Sequence, residues 1–176
     1  MLRYNMATDT GKTAETRNTV DTRITVDTRI TVDTGNTVDT EKTVVVIDGQ
    51  GGRLGRMLVE RIRADRLDCR IRAVGTNTLA TSAMLKAGAD EAATGENPVI
   101  VACREADVVM GPLGILSADA LLGEITPAMA AAVGRSRAEK LLLPVNMCGT
   151  RVVGVRPMTF AELVEAAVGE LAALLQ

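Results

Sequence analysis

Residues 47–56 read IDGQGGRLGR, so four glycines fall within seven residues directly after an apolar run. Gly49, Gly52 and Gly55 form the spacing G-x-x-G-x-x-G, and Gly51 adds further backbone freedom. Glycines let a backbone turn tightly beside an anion, and the amides at the start of a following helix then point at it. The stretch predicts a site for the phosphate of a nucleotide, dinucleotide or phosphorylated metabolite. A tight strand-to-helix turn without a ligand would use the same glycines, and both interpretations stay open.

Other polar and glycine residues follow the later predicted strands. In an open α/β sheet the carboxyl ends of the strands line one crevice, where ligands bind. Arg53 or Arg56 would add positive charge there. No Gly-Lys-Ser/Thr follows the glycines, which excludes a Walker-type phosphate loop. The predicted binding residues are Asp48, Gly49, Gln50, Gly51, Gly52, Arg53, Gly55, Thr76, Asn77, Glu96, Asn97, Gly111, Gly114 and Asn146.

Asp48 is the best candidate for a catalytic group, because it precedes the glycines directly. Its carboxylate would brace the loop by hydrogen bonds, hold a ribose, or share Mg²⁺ with the ligand. The chain has no histidine, and its one tyrosine is Tyr4, so the Tyr-x-x-x-Lys pair of a short-chain dehydrogenase is absent. Proton transfer would fall to Asp48, Glu96, Lys86 or Cys148. We therefore favour binding over catalysis, and catalysis over a purely structural subunit.

The second predicted strand weakens the simplest dinucleotide site. A NAD site usually carries an acid near the end of that strand, about 20 residues beyond the glycines. Thr76 and Asn77 stand there and are uncharged. Asn77 would bond a ribose hydroxyl or cap the next helix. Glu124 is a weaker candidate, because an acid just before a helix N-cap is commonly a solvated charge. The cofactor is thus unidentified, with NAD(P) or another nucleotide as candidates and Mg²⁺ as a weaker one.

The elements that would position these residues alternate along the chain. Apolar periodicity predicts strands at 43–48, 69–75, 90–93, 106–111, 140–145 and 151–155, the last two antiparallel. Helices are predicted at 54–64, 78–87, a short one from Ser117, one from Thr126-Pro127, and one at 159–175, while 98–103 is ambiguous. This order predicts an α/β fold, a compact Rossmann-like three-layer domain with a mostly parallel sheet of about five or six strands.

Residues 1–42 differ from the remainder in composition. Threonine recurs at every third position from Thr10 to Thr43, and the unit TRITVD repeats without change at 22–27 and 28–33. Such polar units bury too little surface to offset chain entropy, which favours a disordered low-complexity tail. A β-solenoid or an extended arm in oligomer contacts are the alternatives. We therefore divide the chain into this tail and a Rossmann-like α/β domain at 43–176.

Composition excludes several classes of protein. The formal charge of −2 and an aromatic content of 1% disfavour a nucleic-acid partner. The sequence contains no uninterrupted run of about 18 apolar residues, the length needed to span a membrane. Three distant cysteines without histidine support neither structural zinc nor a disulfide framework, and they suit a reducing cytoplasm. A small domain rich in Ala, Leu and Val is expected to form a homo-oligomer.

The longer strings resemble a small bacterial family catalogued as a domain of unknown function. They are IDGQGG (47–52), GTNTLATSAMLKAGAD (75–90), TGEN (94–97), GPLGIL (111–116), GEITPAMA (123–130) and PVN (144–146). The resemblance implies a single Rossmann-like domain that begins at the first strand, with the repeated tail as an addition. Arg53 and Met147 stand where the family is expected to have a smaller and a polar residue. The resemblance implies no activity.

Overall fold

The computed structural model describes residues 41–145 and 150–176. The predictions for the repeats before residue 41, and those for Asn146 and Cys148, lie outside these residues. Within the described part of the chain, no helix is long and apolar enough to cross a membrane.

Five parallel strands form one sheet in the order β3-β2-β1-β4-β5. After β3 the chain crosses back over the sheet to place β4 beside β1, so the connections leave these two neighbouring strands in opposite directions. Ligands of such sheets bind at this switch point, outside the carboxyl ends of the strands. The strands are β1 (Thr43–Asp48), β2 (Arg70–Gly75), β3 (Glu91–Thr94), β4 (Val108–Pro112) and β5 (Glu139–Leu143).

Helices cover both faces of the sheet and confirm the Rossmann-like α/β fold. Thr126 caps the fourth helix through a hydrogen bond from Met129 N–H (3.1 Å), with Pro127 at the first helical position, as predicted. The ambiguous segment 98–103 lies inside the third helix. The helices are α1 (Arg53–Ala64), α2 (Thr78–Lys86), α3 (Glu96–Glu105), α4 (Pro127–Arg135) and α5 (Phe160–Leu174), with a 3₁₀ helix at Leu113–Leu116.

Two predicted elements are wrong. Residues 151–155 form no strand beside β5, because Gly154 has a φ of 88° and turns the chain, leaving Val153 97% exposed. Ser117 does not open a helix. Its N–H donates to the Gly114 carbonyl (3.0 Å) and closes the 3₁₀ helix, and turns follow at 118–124.

The core lies in two layers, one on each face of the sheet. Alternate residues of β1 point to opposite faces, so Val44 and Val46 pack with α1 and α5 while Val45 and Ile47 pack with α3 and α4. All four are fully buried. Burial on both faces explains the unbroken apolar run before the glycines.

Candidate functional site

The chain passes from β1 to α1 through a four-residue turn, Gly49 to Gly52, which we call the glycine loop. The Gly52 N–H donates to the Gly49 carbonyl at 2.9 Å and closes the turn. Gly52 is the N-cap of α1 with a φ of 66°, and a Cβ there would lie 2.5 Å from the Ala80 Cα. Gly52 therefore serves the left-handed backbone and the close contact of α1 with α2.

Asp48 is buried beneath this loop, with 5% of its surface exposed. Its Oδ1 accepts from the Gly49 N–H (2.8 Å) and its Oδ2 accepts from the Gly55 N–H (2.7 Å). Burial raises the pKa of Asp48 above its usual 3.8, although the backbone N–H groups oppose that rise. Among the roles open to Asp48, bracing the loop matches these contacts. Within the described residues no group of three metal-ligating side chains occurs.

Glu124 contacts the glycine loop at Gln50. One of its oxygens, Oε2, accepts from the Gln50 N–H (2.7 Å), the Thr76 hydroxyl (2.5 Å) and the Asn77 Nδ2 (3.2 Å). Partial burial disfavours the charge, but these three hydrogen bonds outweigh it and lower the pKa of Glu124 below its usual 4.5. The carboxylate is therefore a charged group held at the carboxyl ends of β1 and β2.

An irregular connection, residues 117–125, carries Glu124 to this position. Asp119, Leu121 and Leu122 have positive φ values of 63°, 55° and 60°, which L-residues seldom adopt. The Asp119 N–H donates to the Ile125 carbonyl (2.7 Å), so the connection folds back on itself. Such strain persists only where the surrounding structure imposes it, and it concentrates at functional sites.

The sequence around Glu124 gives little sign of these contacts, because its partners are far away along the chain. An acid before the N-cap Thr126 is typical of a solvated helix end, and the distance to Gln50 is 74 positions. The glycine at position 123 is a local sequence signal of a sharp turn before this acid. In the structure its φ is 87°.

Asn77 joins the end of β2 to the glycine loop. Its Oδ1 accepts from the Ala80 N–H (2.9 Å) and caps α2, which is one of the two roles expected for it. Its Nδ2 donates to the Gln50 carbonyl (3.0 Å) as well as to Glu124. Asn77 is thus oriented by its own helix and holds the outer part of the loop.

Several expected site residues serve packing or lie apart from the loop. A Cβ at Gly55 would clash with the Met84 sulfur, and one at Gly111 would clash with the Ile47 carbonyl oxygen. Glu96 accepts from the Thr126 hydroxyl. Asn97 lines a groove beside β3, and Gly114 lies in the 3₁₀ helix.

Gly51 differs from the other loop glycines, because the packing does not require it. A Cβ at Gly51 would meet no atom within 4 Å, and its φ lies outside the left-handed region. It is exposed, and its N–H has no hydrogen-bond partner in the described part of the chain. The amides of Gly49, Gln50 and Gly55 already donate to carboxylates. The outer turn at Gly51 is therefore the part of the loop left open to a ligand.

Positive charge lies near this turn. The Arg53 guanidinium sits 5.2 Å from the centre of the Phe160 ring, and Arg56 pairs with Glu60 at 3.1 Å. Phe160 also lines a surface cavity of about 470 Å³ at the carboxyl end of β5, together with Arg151 and Arg156. In a parallel sheet this end is on the same edge as the glycine loop.

Comparison with known proteins identifies the family. Residues 43–176 match the model of a domain of unknown function, DUF3842. No curated protein matches the chain. Among solved structures it is similar to a dodecameric FMN-dependent UbiX-like decarboxylase from Escherichia coli O157:H7, with 15% identity over 75% of this chain and 92% of that chain and a TM-score of 0.36. At that TM-score the likeness supports no argument about function.

Proposed function

The chain belongs to the DUF3842 family, and we propose that it binds a nucleotide, a dinucleotide or another phosphorylated metabolite at the outer turn of its glycine loop. The observation that carries the proposal is Gly51. Its backbone is exposed, its N–H is unpartnered among the described residues, and no contact of the fold requires glycine there. A glycine that packing does not need is explained by the close approach of a ligand to its backbone.

The electrostatics of the loop support an anion at this place. The positive end of the α1 dipole lies beside Gly51, because α1 begins two residues later. Arg53 and Arg56 are exposed and belong to the first turn of α1, which directly follows the glycine loop. Asp48 and Glu124 add negative charge, but both are already hydrogen-bonded to backbone N–H groups of the loop. A phosphate at Gly51 would thus contact the unpaired amide at the positive end of α1, and the two arginines would add positive charge on the same helix.

The site favours binding over catalysis. Asp48 is buried and both of its oxygens accept backbone N–H groups, so little of this carboxylate is accessible to a substrate. A ligand-responsive regulator suits such a site better than an enzyme with Asp48 as its base.

We also propose that the domain self-associates in the cytoplasm. Leu122 is 95% exposed and Val153 is 97% exposed, which suits contacts between copies. Cys69 and Cys103 are buried free thiols, as a reducing compartment allows. Light scattering of the purified chain tests the association. We expect a mass above that of the monomer, and a monomer mass would contradict the proposal.

A binding panel with two aspartate variants tests the proposed function. The probes are ATP, NAD, NADP, coenzyme A and glucose 6-phosphate, each with and without Mg²⁺, in thermal-shift and calorimetric titrations. We expect saturable binding, and a ligand at 100 times its Kd stabilises by about 2.7 kcal/mol. Gly51→Asp should weaken this binding at least about tenfold, because it places a negative charge at the anion site.

Gly169→Asp is the matched control. Gly169 lies on α5, and a Cβ there would also meet no atom within 4 Å. The same substitution is therefore made in open space away from the loop, and it should leave affinity unchanged. Absence of binding across the panel, or equal affinity of wild type and Gly51→Asp, contradicts the proposal.

A further inference from the structure

An acid is missing from the end of β2 but present in space beside it. Dinucleotide-binding folds place a carboxylate near the end of the second strand, where it accepts hydrogen bonds from the ribose hydroxyls. Thr76 and Asn77 occupy that place here. Their side chains donate to Glu124 at 2.5 Å and 3.2 Å, so Glu124 brings a carboxylate to the same strand end from the connection between β4 and α4.

The two oxygens of Glu124 have different surroundings. Oε2 receives all three protein donors, which orient the carboxylate. Oε1 accepts no hydrogen bond from the part of the chain that the structure describes, and the side chain is half-buried rather than enclosed. A carboxylate oxygen offers two lone pairs, so Oε1 has acceptor capacity for two hydroxyl groups.

The absence of a side chain at Gly49 leaves space for the Glu124 carboxylate. A Cβ on Gly49 would lie 2.5 Å from Glu124 Oε2 and 2.7 Å from the Thr76 hydroxyl oxygen. Gly49 is therefore needed for Glu124 to reach the loop. A ligand phosphate that took the Gln50 N–H would have to displace an oxygen with three donors, whereas a ligand that uses Gly51 and Oε1 would leave these contacts intact.

On the basis of the proposed function, we propose that Glu124 determines the ligand class. Its Oε1 accepts hydrogen bonds from the 2′- and 3′-hydroxyls of a ribonucleotide whose phosphate lies at Gly51. A ligand with 2′-phosphate places a like charge beside this carboxylate and is rejected, and a 2′-deoxynucleotide lacks one of the two donors. Glu124 is thus a specificity-determining residue.

The test compares matched ligands on the full chain, namely ATP with 2′-deoxy-ATP and NAD with NADP. In each pair that binds, we expect wild type to bind the ligand with a free 2′-hydroxyl, ATP or NAD, at least about tenfold more tightly than the other. Glu124→Gln keeps an acceptor for the three protein donors but removes the charge, and it should reduce that ratio to about threefold or less. Glu170→Gln, on the exposed side of α5, is the matched charge control and should keep the wild-type ratio.

The outcomes separate the two proposals. Binding of these nucleotides by wild type without discrimination overturns the role of Glu124 and leaves the proposed function standing. Binding of glucose 6-phosphate but of no nucleotide likewise overturns the role of Glu124 and leaves the proposed function standing. Absence of binding to every phosphorylated probe overturns both. The wild-type ratios need no variant, so the inference stays testable even if Glu124→Gln fails to fold.

Discussion

The backbone N–H of Gln50 donates to Glu124 Oε2 over 2.7 Å, although 74 positions separate the two residues. The hydrogen bond joins the glycine loop after β1 to the connection that follows β4, and these two strands border the switch point of the sheet. A carboxylate from the second segment thereby occupies an amide that a phosphate would otherwise use. This leaves Gly51 as the open donor of the loop and makes Glu124 part of the candidate site.

Acid stability should report the state of Glu124. Its pKa is lower in the folded chain than the usual 4.5, so the unfolded chain binds its proton first on acidification. The stabilisation from this group is therefore present above about pH 4.5 and is lost as pH falls through the lower folded pKa. Glu124→Gln should lose less free energy of unfolding than wild type between about pH 6 and about pH 3, in urea titrations.

Glu170→Gln again provides the charge control and should follow wild type. The raised pKa of Asp48 acts in the opposite direction, because the folded state then favours the protonated carboxyl and gains relative stability in acid. Asp48 is present in all three proteins, and the Glu124 charge is the smallest of the causes that shift the pKa of Asp48, so most of the Asp48 effect cancels in the comparison. An equal pH dependence for Glu124→Gln and wild type would show that the carboxylate is not held as described.

Alanine at Gly51 and at Gly52 should have very different effects on stability. At Gly52 the φ of 66° and the Ala80 Cα only 2.5 Å from a new Cβ predict a loss of at least about 2 kcal/mol in free energy of unfolding. At Gly51 the open space predicts a change within about 0.5 kcal/mol. Denaturant titration of both variants measures the difference, and similar losses would contradict the loop geometry. Gly52 variants are consequently unsuitable as tests of ligand binding.

The buried thiols should be unreactive in the native chain. Burial raises the pKa of both Cys69 and Cys103 to about 11, so each is a protonated thiol at pH 8. We expect iodoacetamide at about pH 8 to leave both unmodified in the folded chain and to modify both in urea. Mass spectrometry of the peptides distinguishes these sites from Cys148. Rapid native labelling of either residue would show that the core around it opens readily.

Local patterns were sufficient for much of the fold. The apolar run, the glycines and the helical spacing of Leu54, Leu58, Val59 and Ile62 predicted β1, its turn and α1, because each depends on neighbours within a few residues. The alternation of strands and helices predicted the parallel three-layer fold. The strand predicted at 151–155 was wrong, since an apolar composition does not reveal whether a segment pairs with a neighbouring strand.

The amino-acid sequence by itself determined that a glycine turn joins a buried strand to an amphipathic helix, because steric freedom and apolar periodicity act over short distances. Only the tertiary structure decided which amides of that turn remain open. Asp48 accepts from the Gly49 amide and Glu124 from the Gln50 amide, and Glu124 reaches the turn through a strained connection that is distant along the chain. Hydrogen bonds form between groups that packing brings together, whatever their separation in sequence, and periodicity carries no record of them.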